Sequence, residues 1–257
     1  MSENSHEGKR TARERLAMER EKHKAQEKRR RTLIVAAAVV GVLGLAAAIG
    51  VIAAGGDDKK DTSGPVVAPA GASGEDSLVI PVGEDAAPAT LTIWEDFRCP
   101  ACAQFEQAYN PTIDELTDQG KLKVEYRLAT IIDGGFGGQG SLRAANAAAC
   151  AQDAGKFKPY HDVLFENQPA EADDAFAENS KLIELAGKVD GLDTTSFQSC
   201  VNDGTHDSWA AKSNDAFREG GFRGTPTVLL DGEDIFGDQQ NPLTPEKLKQ
   251  MVEDAAG

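Results

Sequence analysis

Residues 89–102 read ATLTIWEDFRCPAC. The first nine have the pattern of a strand: side chains alternate across an extended chain, so Leu91, Ile93 and Glu95 share one face. The last four put two thiols, Cys99 and Cys102, where that strand gives way to a helix expected over 100–118, with Pro100 tolerated in its first turn. The placement matters more than the motif. Thiolate is the attacking form in disulfide exchange, and a free cysteine ionises near pH 8.5. Unpaired amides in a first helical turn, with the helix dipole, favour negative charge on a sulfur there. Cys99 is therefore expected to be exposed and nucleophilic, and Cys102 to be the more buried, resolving thiol. Two other uses of such a pair compete. A structural zinc site commonly takes four close Cys or His ligands, but Cys150 and Cys200 stand alone without local partners. A purely structural bridge over two residues closes too short a loop to add much stability.

Working outward, residues 122–128 (LKVEYRL) alternate again and read as a second strand. Helical patterns follow over 141–153, 158–167, 179–188 and 207–218. Residues 227–230 and 234–236 flank Asp231-Gly232, a hairpin-type turn. Thr244 followed by Pro245 is a capping hydroxyl with proline at the first helical position, and opens a last helix. A second chemical signal precedes the late strand: Gly224-Thr225-Pro226. Proline is allowed at a strand start, and an X-Pro bond accepts the cis form at a cost of only about 0.5–1 kcal/mol.

The strand–CPAC–helix arrangement with a later GTPTV segment resembles the DsbA-like branch of the thioredoxin superfamily. Trp94-Glu95-Asp96-Phe97, and Tyr160-His161-Asp162 with Leu164-Phe165, also look like this family. The resemblance covers roughly residues 79–257. It implies an α/β, thioredoxin-like fold with an all-helical insertion over about 137–219, because 124 positions separate Cys102 from Pro226, far more than in a plain thioredoxin. It further implies that Pro226 is cis and lies beside the active-site pair, and that Thr225 offers backbone groups to a substrate strand, as in sheet-edge addition. Pro100-Ala101 departs from the Pro-His of the enterobacterial oxidase, whose histidine helps stabilise the thiolate. That departure bears on the strength of oxidation, not on the reaction type.

Upstream the charge is uneven. The whole chain carries -15, yet residues 1–31 hold eleven Lys and Arg against six Glu, leaving a net of -20 for the rest. An acidic body argues against nucleic-acid binding, which needs a basic footprint. Between head and body, residues 33–54 (LIVAAAVVGVLGLAAAIGVIAA) have no charged side chain over 22 positions, enough to span about 30 Å of hydrocarbon. The run exceeds the apolar core of a cleaved signal peptide. We therefore expect a basic cytoplasmic tail (1–31), one transmembrane helix (32–54) in contact with the bilayer, a Gly/Pro/Ser-rich flexible linker (55–78), and the folded domain over 79–257. Lys28, Arg29, Arg30 and Arg31 abut the apolar run and orient the N-terminus inward.

The expected activity is that of an extracytoplasmic, membrane-anchored protein disulfide oxidoreductase. It would act on exported polypeptides and need no cofactor. The resemblance implies a membrane re-oxidase of the vitamin K epoxide reductase-like or DsbB-like kind as partner. A reductase or isomerase on the same fold and a non-enzymatic peptide-binding module are the rivals, because direction depends on reduction potential. Four cysteines outside the cytoplasm favour pairing, so a Cys150–Cys200 disulfide is expected, against a second redox pair or two buried thiols. Glu95 and Asp96 are candidates for proton handling near the dithiol, against the plainer reading of loop acids. His161 reads as a packed helix residue rather than a metal ligand, and His206 has no clear partner. Residues 135–140 (GFGGQG) fit GxGxxG, but helices follow where a dinucleotide fold needs a parallel strand. They are expected to be a flexible hinge into the insertion.

Overall fold

The two alternating segments become the centre of one sheet. The computed structural model describes residues 64–238 and 240–256. Numbered along the chain, the strands are β1 (Ile80–Val82), β2 (Ala89–Glu95), β3 (Leu122–Leu128), β4 (Thr227–Leu230) and β5 (Glu233–Asp234), in the spatial order β1-β3-β2-β4-β5. β2 and β3 run parallel, with Leu91 opposite Val124 and Glu95 opposite Leu128. Parallel neighbours need a crossover, which helix α1 (Pro100–Asp118) supplies. β4 lies antiparallel on the other side of β2. It turns into β5 through Asp231 and Gly232, both at positive φ (50° and 89°), the conformation a tight hairpin requires.

Between β3 and β4 the chain is helical: α2 (Ile131–Phe136), α3 (Gly140–Asp153), α4 (Phe157–Glu166), α5 (Asn179–Ala186), α6 (Thr195–Asp203) and α7 (Asp207–Glu219). α3 reads GSLRAANAAACAQD, and its alanines are buried on every side. Small side chains let α4, α6 and α7 close around it, so α3 is the axis of the insertion. The Cys150–Cys200 disulfide joins α3 to α6, as expected. The last helix, α8 (Pro245–Ala256), opens on Thr244, whose hydroxyl accepts the Lys247 amide at 3.2 Å.

Several expectations are corrected. β1 pairs antiparallel with β3, although three residues, one of them Pro81, carry too little pattern to announce a strand. α6 is absent from the sequence reading, yet the Thr194 hydroxyl caps it and Gly204 ends it in the left-handed region (φ 62°). The later hairpin strand is shorter than 234–236, because the Asp234 carboxylate turns back to accept the amides of Phe236 and Gly237. The second half of the expected linker is anchored to the insertion. Ser208 donates to the Pro65 carbonyl, the Ala70 amide to Asp153, Gln152 to the Ala70 carbonyl and Trp209 to the Ser77 carbonyl, at 2.7–2.9 Å. His206 is buried with Nδ1 on the Val67 carbonyl and Nε2 on Asp153, so it does have partners. Nor are residues 135–140 a free hinge. Asp174 accepts the amides of Gln139 and Gly140, and a Cβ on Gly138 or Gly140 would overlap its carboxylate.

The basic tail, the expected transmembrane helix and the first part of the linker lie outside the described residues. Among the described residues no helix is long and apolar enough to cross a membrane.

Candidate active site

Cys99 is the N-cap of α1, with Pro100 in its first turn. Its carbonyl accepts the amides of Cys102 and Ala103 at 3.0 and 3.2 Å. Two neighbours fix the preceding backbone. The Asp96 carboxylate accepts the amides of Arg98 and Ile132, both at 2.9 Å. The Gln168 side-chain amide donates to the Phe97 and Cys99 carbonyls at 2.9 and 3.0 Å. The Thr225–Pro226 bond is cis, as the resemblance implies, and the Thr225 carbonyl lies 3.3 Å from Cys99 Sγ. The two motifs, 124 positions apart in sequence, thus meet at one sulfur.

Cys99 is not exposed as expected: only 6% of its surface is accessible, and Cys102 has none. The cis-proline loop covers it from the front. Its acidity is nevertheless strong. A hydrogen bond from the Cys102 thiol brings the Cys99 pKa down to about 6, against the opposing effect of burial, with further help from the Thr225 hydroxyl and the amides of Cys102 and Ala101. The helix amides contribute as expected, but the partner thiol outweighs them. Cys102 moves the other way. Burial, then the Cys99 thiolate, push it well above its ordinary value, and the Glu95 carboxylate adds to the rise. The pair is thus a ready thiolate backed by a reluctant thiol.

Of the two candidate carboxylates, Asp96 is a brace with both oxygens on backbone amides, and burial raises its pKa to about 7. Glu95 is equally buried and lies 2.8 Å from His161 Nε2. His161 is packed among aromatic rings as read from the sequence, with Phe97, Tyr126, Phe157 and Phe165 around it, but it is also enclosed by carboxylates. Glu106 is a site residue the sequence reading missed. It sits on the buried stripe of α1 with Cys102, Phe105, Tyr109 and Ile113, and a carboxylate on an apolar stripe was the available signal. Arg98 was also missed. Nearly fully buried, it meets Asp133 at 2.6 Å and Asp174 at 2.8 Å and donates to the carbonyls of Gly137 and Glu171. Asp133 in turn accepts the first amides of α3, from Ser141 and Leu142. One guanidinium therefore ties the residue before Cys99 to the start of the insertion.

A thioredoxin-like sheet carrying a split-acidity dithiol at a helix start, faced by a cis-proline and interrupted by a helical insertion, defines a thiol–disulfide oxidoreductase. Residues 75–254 match the thioredoxin family, and the chain belongs to it. It is 25% identical over 175 residues to disulfide bond formation protein D of Bacillus subtilis, covering 67% of this chain and 74% of that one. Among solved structures, oxidised DsbA of Mycobacterium tuberculosis is 29% identical with a TM-score of 0.60, covering 70% of this chain and 93% of that one. Reduced DsbG of the same organism is 28% identical with a TM-score of 0.58, covering 70% and 88%. The protein is thus a DsbA-like disulfide-forming oxidoreductase with a disulfide between Cys150 and Cys200.

Proposed function

We propose that residues 33–54 hold the protein in a membrane and that its domain oxidises cysteine pairs of exported polypeptides on the outer side. The observation that carries the direction is the split between the two thiols, Cys99 down to about 6 and Cys102 well above its ordinary value. A stabilised thiolate stabilises the reduced enzyme, which makes the disulfide the better oxidant. A substrate thiolate attacks Cys99 Sγ of the Cys99–Cys102 disulfide. Cys102 leaves with the electron pair and takes up a proton. The substrate's second thiolate then attacks the substrate sulfur of the mixed disulfide and releases the Cys99 thiolate. The substrate has lost two electrons and the enzyme has gained them. Re-oxidation falls to a membrane partner of the vitamin K epoxide reductase-like or DsbB-like kind, and sharing one membrane raises the effective concentration of the two.

Substrate binding has a surface suited to it. A groove of about 710 Å³ runs beside the sulfur, lined by Ala101, Phe222, Arg223, Thr225, Pro226 and Phe236 among others. An extended peptide there would meet the backbone of Thr225. A Cys99 pKa of about 6 falls between the values of about 3.5 and 7 that mark DsbA and thioredoxin. The reduction potential is accordingly expected between about -120 and -270 mV. Equilibration with glutathione, together with oxidation of a reduced unfolded substrate, tests the reading. A potential at or below the thioredoxin end would make the protein a reductase. Peptide binding that survives replacement of both cysteines, with no exchange in the unaltered enzyme, would make it a binding module.

A further inference from the structure

Behind the dithiol lies a group of side chains of which Glu95 alone acts on the thiols, through its charge on Cys102. Glu95, Glu106 and His161 are each at most 4% exposed, and one ligand-type atom from each lies within 4.8 Å of the others. They come from three separate elements: the end of β2, the buried stripe of α1, and α4. The geometry points to a divalent-cation site, of the kind zinc takes, formed by His161 Nε2 and the carboxylates of Glu95 and Glu106.

Unpartnered oxygens favour a cation at this place. Both Glu106 carboxylate oxygens and the second oxygen of Glu95 are buried with no hydrogen-bond partner among the described residues. A buried carboxylate without donors is costly. A cation satisfies the unpartnered oxygens at once. The histidine is also oriented as a metal ligand is. Nε2 faces Glu95 at 2.8 Å while Nδ1 faces Asp162 at 3.0 Å. A histidine that ligates a metal through one nitrogen commonly donates its other N–H to a carboxylate, which fixes tautomer and ring direction. Asp162 is already in that outer position, itself held by Lys158.

Two carboxylates converge on one imidazole, and no ion pair joins Glu95 or Glu106 to a lysine or arginine among the described residues. Lys158, the nearby ammonium, is engaged with Asp114, Asp162 and Asn110 instead. A cavity of about 510 Å³ beside the cluster is lined by Glu106, Gln107, Asn110, Asp162 and Glu166, so its wall carries three carboxylates, one of them a proposed ligand. A tetrahedral zinc site sets its N and O ligands about 3.3 Å apart. The His161–Glu95 contact then widens by about half an ångström and the Glu106 side of the cluster closes in.

Zinc also binds dithiols, so the test removes them. The full-length Cys99→Ser/Cys102→Ser protein and the oxidised unaltered protein are titrated with zinc by calorimetry and with cobalt by visible absorption. The expected result is one ion of the 95/106/161 class per chain in both, with the visible bands of tetrahedral cobalt. Glu106→Gln and His161→Gln should each weaken binding at least tenfold, and Asp162→Ala, acting through the imidazole, by about 10–100-fold. No saturable binding, or binding unchanged in both Glu106→Gln and His161→Gln, overturns the site. Should those variants fail to fold, an absence of tetrahedral cobalt bands in the oxidised unaltered protein overturns it equally.

Discussion

Cys99–Cys102 and Cys150–Cys200 are the same chemistry in two settings. The first pair sits at a helix start, three positions apart; each thiol drives the other's acidity in the opposite direction, while burial raises both and Glu95 lifts Cys102 further. A cis-proline loop brings a carbonyl to within 3.3 Å of the leading sulfur. The second pair joins α3 to α6 across 50 positions, beside the alanines that let the insertion close up. A separation of three positions gives reversible redox chemistry and almost no cross-linking benefit, whereas fifty give the reverse. What a cysteine pair does is thus set by the loop it closes and by the charges and dipoles around it.

Substitution at the catalytic sulfur should separate the two pairs most sharply. Cys99→Ser replaces a thiolate with a hydroxyl that is not ionised at neutral pH, and the rate of substrate oxidation should fall by on the order of 10³-fold or more. Thermal stability should change little. The measurement is oxidation of a reduced unfolded protein, followed by free-thiol titration. A rate close to that of the unaltered enzyme would move the chemistry elsewhere.

The converse replacement, Cys150→Ser with Cys200→Ser, should leave exchange at Cys99 intact and cost about 4 kcal/mol of stability on the chain-entropy estimate for a 50-residue loop. For a domain of this size that is a fall in melting temperature of about 8–16 °C. A variant that melts as before but loses activity would overturn the assignment of the two roles.

The two regions are not independent, because Arg98 joins them. Its guanidinium contacts Asp133 and Asp174, and those carboxylates accept the first amides of α3. Arg98→Lys keeps the charge but not the fork that also reaches the carbonyls of Gly137 and Glu171. Leaving such buried acceptors unpaired should cost about 1–3 kcal/mol. Because Arg98 precedes Cys99, the loss should be accompanied by faster amide exchange at the start of α1 as well as at the start of α3. Faster exchange confined to α3 would mean that the guanidinium braces the insertion alone.

Much of this was legible in the sequence, and what was not has physical reasons. Strand periodicity and the helix-start position of CPAC identified β2, α1 and the chemistry, and the spacing to Pro226 required an insertion. The pairing of Cys150 with Cys200 followed from compartment and count. Arg98 escaped because its four partners come from positions 133–174, and no local pattern records a contact across the fold. Glu106 was visible as a charge on an apolar stripe, but its lack of partners appears only when β2 and α4 close over it. The order of residues 64–78 was hidden by a composition typical of linkers. Their anchors are backbone groups, and backbone groups leave no trace in composition.

The smallest effect concerns the line between leading sulfur and cis-proline loop. The Thr225 carbonyl belongs to the backbone and survives any substitution, whereas the Thr225 hydroxyl is buried without a close hydrogen-bond partner and lowers the Cys99 pKa. Thr225→Val removes that hydroxyl while keeping nearly the same volume. The thiolate then loses one stabilising dipole, and the Cys99 pKa should rise from about 6 by about 0.5–1 unit, about 0.7–1.4 kcal/mol. In the reduced enzyme, alkylation of Cys99 by iodoacetamide rises with pH as the thiolate forms. Its midpoint should therefore move to higher pH in the variant, and the disulfide should become a weaker oxidant. The same substitution should leave stability supplied by Cys150–Cys200 untouched. A midpoint that does not move would leave the Cys102 thiol and the helix amides as sufficient causes of the acidity, and would reduce the Thr225 side chain to packing.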